Sequence, residues 1–175
     1  HMNKFYLYII ILVISLCPGG VFGQSPEEIK KMKTLADNYL SEENYASAYS
    51  ILNKLYVVIP EDNEVNFLLG LCEVEHNESY LMAINYFESV RINSPEKNVP
   101  VEVYRLLGDA YHFTYDFDSA IKYYKKYKSL IPTKEIKRIQ EVDRKIQISI
   151  NANQLYSSPK EYETINLGEY INSEK

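Results

Sequence analysis

Small and apolar residues recur at fixed intervals through the middle of this chain, and short polar clusters interrupt them at regular places. In the stretch LLGDAYHFTYDFDSAIKYYKKYKSLIP, Leu106 to Pro132, the landmarks are Leu107-Gly108, Tyr111, Ala120, Tyr124 and Pro132. Ile121, Tyr124, Tyr127 and Lys128 follow the spacing of one helix face. The same intervals start again from Ile29, with Leu35-Ala36, Tyr39, Ala48, Leu52 and Pro60. From Asn63 they give Leu69-Gly70, Ala83, Phe87 and Pro95, after one residue inserted near Asn77. The step from alanine to proline is twelve residues in all three copies. SEEN, EHNES and YDFD lie between the two apolar runs of each copy and carry the Asn, Ser and Asp of turns. The pattern predicts three helical hairpins, each ended by a proline that cannot continue its second helix.

Each landmark has a packing role. Ala36, Gly70 and Gly108 leave room for the first helix of a hairpin to approach the second, and Ala48, Ala83 and Ala120 do the same from the other side. Gly108 and Ala120 are expected to face each other. The bulkier Leu52, Phe87 and Tyr124 fill the space beside that crossing. A final hairpin leaves an apolar face uncovered. Ile136, Ile139, Ile146 and Ile150 form the stripe that would cover it, with Lys134, Lys137, Arg138, Arg144 and Lys145 outside the stripe.

Counted from Val101 as position 1, Tyr104, Leu107-Gly108, Tyr111, Ala120, Tyr124 and Pro132 fall at 4, 7 and 8, 11, 20, 24 and 32. With these landmarks the chain resembles tetratricopeptide-repeat proteins, whose unit is 34 residues. The resemblance implies an all-α fold: three helix-turn-helix repeats and a C-terminal capping helix in a right-handed α-solenoid. The domain reading is a signal peptide over residues 1–23, repeats within 25–134 (29–62, 63–97 and 101–134), a capping helix over 135–156, and residues 157–175 as a linker or the start of a following β domain.

The ends add a location. His1 reads as a cloning remnant before Met2; Lys4, the apolar run Phe5–Leu16 and Cys17-Pro18-Gly19-Gly20 then have the layout of a secretory signal. Cleavage before Gln24 and lipidation at Cys17 are the two processing routes. The run is short for a membrane-spanning helix. Cleavage would shift the net charge from −5 to −6 and leave Cys72 as the only cysteine, so packing rather than a disulfide holds the fold. The tail words INLGEYINS, Ile165 to Ser173, resemble the entry to the propeller of exported Bacteroidetes envelope proteins. Those combine tetratricopeptide repeats, a WD40-like (PD40) propeller and a peptidoglycan-binding OmpA-like domain, and one is associated with type IX secretion. That resemblance implies a periplasmic, outer-membrane-associated protein that reaches peptidoglycan only through a domain outside this sequence.

Tetratricopeptide repeats bind partners on the face of their first helices. The residues this implies are Lys33 and Asp37 in the first repeat, Phe67, Leu71 and Val74 in the second, and Arg105, Asp109 and His112 with Phe113 in the third. An apolar centre with charged flanks suits a peptide or helix with aliphatic side chains. The carboxylate clamp of chaperone-binding repeats does not fit, because Asp37 stands where that clamp needs an asparagine and Leu68 and Leu106 replace polar positions.

Other chemistry finds little vocabulary. Cys72 and His76 share a helix face beside Glu73 and Glu75, but a metal needs a further ligand cluster that the chain does not offer. No serine sits in a nucleophile motif, no glycine loop cradles phosphate, and the acidic balance speaks against nucleic acid. Asp118, in the DSA word, reads as the cap of the helix it opens. The expectation is a non-enzymatic scaffold with no cofactor and no metal, binding a protein or peptide within an envelope complex. The alternative is a recognition subunit fused to a catalytic domain outside this sequence.

Overall fold

The computed structural model of the protein describes residues 25–158. The signal-peptide reading, the Cys17 and Gln24 alternatives and the β-domain reading of the tail beyond residue 158 fall outside that range. Among the described residues there are seven α-helices, one 3-10 turn and no strand. They form two compact units, divided between Pro95 and Glu96.

The first unit contains α1 (Pro26–Ser41), α2 (Tyr45–Val58), α3 (Asn63–Glu75) and α4 (Tyr80–Asn93). α1 packs on α2, α2 on α3, and α3 on α4. Helix starts follow from side-chain acceptors for otherwise unpaired backbone N–H groups. Ser25 and Glu28 cap α1 reciprocally, Asn44 caps α2 and Asp62 caps α3. The core is built from Ala36, Ala48, Leu52, Leu55, Val65, Leu69 and Cys72, all fully buried.

The second unit contains the 3-10 turn Glu96–Asn98 and helices α5 (Val101–Phe113), α6 (Phe117–Leu130) and α7 (Ile136–Ser157). α5 packs on α6, and α6 on α7. Tyrosines do much of the filling: Tyr123 stacks on Tyr111 at 5.5 Å and on Tyr104 at 6.5 Å between ring centres. Asp116, not Asp118, caps α6 by accepting from the Ser119 N–H. Asp118 lies inside the helix and accepts from Asn153 Nδ2 at 3.0 Å. The cap belongs to the residue still in non-helical geometry, and that is two positions earlier than the sequence suggested.

The alanines at the crossings, Ala48, Ala83 and Ala120, are fully buried. The nearest neighbour of Gly108, however, is the ring of Tyr124 rather than the methyl of Ala120; a Cβ there would lie 2.5 Å from the ring. At Gly70 a Cβ would lie 2.4 Å from the Phe87 ring. Glycine therefore occurs where position 24 carries an aromatic ring, whereas the first repeat pairs Ala36 with the smaller Leu52 in one core. Volume is conserved across the pair, as dense interiors require.

Among the described residues three non-glycine positions have positive φ: Glu43, Glu78 and Tyr115. Each sits in the turn between the two helices of a hairpin. At the first and third turns the backbone closes a Schellman motif: Asn44 N–H reaches Tyr39 O at 2.8 Å, and Asp116 N–H reaches Tyr111 O at 3.0 Å. The turns accept the left-handed strain because these bonds satisfy carbonyls that would otherwise be orphaned.

The α7 stripe needs revision. Ile136 is 62% exposed, whereas the buried residues of α7 are Val142 and Ser149. Ile139, Ile146 and Ile150 are half-buried at its edges, and Lys145, expected outside, is half-buried too. The two buried residues are seven apart, so the packed line of α7 runs between the isoleucines rather than through them, and Ser149 on that line meets His112 of α5.

Candidate protein-interaction face

In the first unit the candidate residues come from α1 and α3. Lys33, half-buried, donates to Asp62 at 2.8 Å and to Glu64 at 2.7 Å. Burial alone would weaken the ammonium, but the two carboxylates outweigh it and Lys33 rises above its ordinary value. Asp62, despite burial, is held below the usual carboxylate range by Lys33 and by the Val65 N–H it accepts. Lys33 is thus committed to joining α1 to the start of α3. Asp37 is exposed, and its carboxylate has no partner among the described residues. Phe67, Leu71 and Val74 are half-buried along α3, and the Phe67 ring lies 6.1 Å from that of Phe87.

Behind them sits a closed polar pair. Glu73 is buried and accepts from Tyr49 OH at 2.8 Å and from Asn77 Nδ2 at 3.0 Å. Cys72 is also buried, and desolvation with the neighbouring Glu73 charge pushes its thiol up to about 11. That is the state of an inert core cysteine. His76 is exposed at the end of α3, and no group of three metal-ligating side chains occurs among the described residues.

In the second unit the candidates are engaged by their own chain. Arg105 bonds Glu102 and, at 2.6 Å, Asp109. Asp109 also accepts from Tyr124 OH at 2.7 Å and from Lys145 of α7 at 2.6 Å. Burial, then the Asp109 charge and bond, drive the Tyr124 hydroxyl far above its normal value, so it remains a donor. Arg138 bonds Tyr127 OH at 2.6 Å and pairs with Glu102 at 3.4 Å. His112 Nδ1 lies 2.9 Å from Ser149 Oγ. Ser149 donates its own hydrogen to Lys145 O, so His112 is the donor in that contact. Phe113 is exposed beside it, and His112 also rests edge-on against Phe117 at 5.3 Å.

The structure therefore joins Arg105, Asp109 and His112 into one network and leaves Asp37, Phe67, Leu71 and Val74 outside any such network. Sequence reasoning missed Tyr124 and Lys145 as members. The available signal is the run of cations on the capping segment, which the isoleucine stripe places outside the packed face.

No family model matches the chain, and no curated protein matches it. Solved structures do. The type III secretion translocator chaperone SycD of Yersinia enterocolitica is 16% identical, with a TM-score of 0.62 over 75% of this chain and 89% of that one. PcrH in complex with the chaperone-binding region of PopD is 13% identical, with a TM-score of 0.60 over 74% of this chain and 96% of that one. The Sgt2 tetratricopeptide domain of Aspergillus fumigatus is 16% identical, with a TM-score of 0.57 over 85% of this chain and 95% of that one. The fold is that of tetratricopeptide-repeat domains. At these identities the likeness concerns backbone architecture alone.

Proposed function

We propose that this protein is a non-enzymatic interaction module that holds a partner polypeptide on the first-helix face, with Phe67, Leu71 and Val74 as its apolar centre. The observation that carries this reading is their half-exposure on α3, a helix whose opposite side is fully packed, with the unpaired Asp37 one turn beyond Lys33 on α1, the helix that Lys33 ties to the start of α3. Apolar side chains left partly open on a rigid element are suited to anchoring another chain. Two of the similar folds were solved with a bound segment, PcrH with a region of PopD and SycD with a peptide of YopD, which supports the same use here.

The proposed setting is the bacterial envelope: export to the periplasm and outer-membrane association, within a secretion or surface-assembly complex. Its support is the sequence layout of Lys4 to Gly20 and the INLGEYINS words. Recognition without catalysis is the simplest role for a face that lacks a nucleophile–base pair.

A photo-crosslinker placed at Leu71 in the full chain, expressed in its native envelope, tests this. One defined adduct is expected from position 71 and none from position 57, where Val57 is 82% exposed on α2. Equal labelling from both positions would defeat the reading.

A further inference from the structure

The partner's charge is also written in the first unit. Residues 25–95 hold five basic and twelve acidic side chains, a net charge of −7, whereas residues 96–158 hold eleven basic and eight acidic, a net charge of +3. Within the first unit the two half-buried cations are both neutralised, Lys33 by Asp62 and Glu64 and Arg91 by Glu88. Asp37 and Glu75, on the same first helices as the apolar centre, are exposed and have no partner among the described residues. Glu42, Glu43 and Glu78, in the adjoining turns, are likewise exposed and unpaired. Lys30 is the exposed cation at the far end of that face.

The repeat frame shows that this openness is not built into the position. Asp37 and Asp109 both stand at position 9. Asp109 is closed by Arg105, Tyr124 and Lys145. Lys145 reaches it from position 11 of the following helix; the same place after the first repeat is held by Glu73, which turns to Tyr49 and Asn77 instead. An acid without its neutralising neighbour, beside an apolar strip, is complementary to a cation brought by another molecule.

Resting on the interaction reading above, we infer that the segment held against Phe67, Leu71 and Val74 is a polypeptide with aliphatic anchors flanked by lysine or arginine, which pair with Asp37 and Glu75. The cations also steer the encounter, because the whole unit presents a negative field.

Three fluorescent peptides with one Val-Leu-Ala-Leu core and flanks of lysine, glutamine or glutamate test this by anisotropy on the full chain. The lysine-flanked peptide is expected to bind roughly 10-fold more tightly than the glutamate-flanked one, as two exposed ion pairs allow. The gap should close as salt rises from about 50 mM to about 500 mM. Asp37→Lys with Glu75→Lys should invert the preference while the helical circular dichroism signal stays as in the parent. Equal binding of all three peptides, abolished by Phe67→Glu, would overturn the charge inference and leave the apolar anchor standing. Binding of none would overturn both.

Discussion

The third repeat and the first place an aspartate at the same position and use it in opposite ways. Asp109 is the centre of a charge network that α7 completes, whereas Asp37 is left in solvent. The difference lies in the neighbour that follows. A terminal repeat has to be covered, and the covering helix brings Arg138 and Lys145 across to Glu102 and Asp109. The cations that solubilise α7 also fasten it. In the first unit the following helix brings Glu64 and Glu73 instead, so one cation is consumed and carboxylates are left over. One frame thus yields a sealed face and an open one.

The comparison is most severely tested at the helix crossings. Gly70→Ala and Gly108→Ala each drive a Cβ into an aromatic ring and should destabilise their own unit by about 1–3 kcal/mol. The same loss is expected for Ala120→Leu. Chemical denaturation would read these, and Phe87→Leu should recover part of the Gly70→Ala loss because it recreates the alanine–leucine pairing of the first repeat. A double variant no better than Gly70→Ala alone would break the volume argument.

The two aspartates should separate next. Asp109→Asn removes the charge that Arg105 and Lys145 share and should cost about 1–2 kcal/mol. Asp37→Asn should stay within about 0.5 kcal/mol, as exposed unpaired sites do. Equal effects on the melting temperature would mean that the network contributes nothing beyond its parts.

A smaller effect concerns pH. Burial lowers the His112 imidazole below its ordinary value; Asp109 partly counters this and Lys145 adds to it. The folded state then binds the proton less well than the unfolded chain. Its stabilising contribution is complete above the unfolded value, roughly 6.5, and is lost as pH falls toward the lowered folded value. Melting curves between pH 7.5 and pH 5 should show a small decline in stability from this group, absent in His112→Gln. A decline that persists unchanged in the variant would assign the effect elsewhere.

The smallest expected change is a gain. Glu43 holds a positive φ of 56° in the first hairpin turn. Glu43→Gly should stabilise by a few tenths to about 1 kcal/mol, since glycine carries no Cβ penalty there but loses more freedom on folding. A loss in the same denaturation assay would show that the left-handed turn is not strained.

Much of the architecture could be read from spacing alone. The small residues at positions 8 and 20 and the proline at 32 are dictated by how closely two helices can cross and where the second must stop. These are local constraints that repeat with the chain, so three copies reinforce one another. The candidate site was legible only as positions. Phe67 and Leu71 share a face by periodicity, but whether Arg105 and Asp109 are available depends on Glu102, Tyr124 and Lys145, up to 36 residues away from Asp109. The total charge of −5 concealed the same fact, because the acidic and basic halves cancel in a sum.

By itself, then, the amino-acid order determined the helices, their turns and the crossings where side-chain volume leaves one solution. Tertiary structure decided that Tyr124 rather than Ala120 lies over Gly108, that Val142 and Ser149 rather than Ile136 seat α7, and which carboxylates remain free. Those outcomes depend on the rotation of one helix against the next and on which long side chain reaches across. Neither has a period in the sequence, because both are settled by packing and by pairing of charge between residues far apart along the chain.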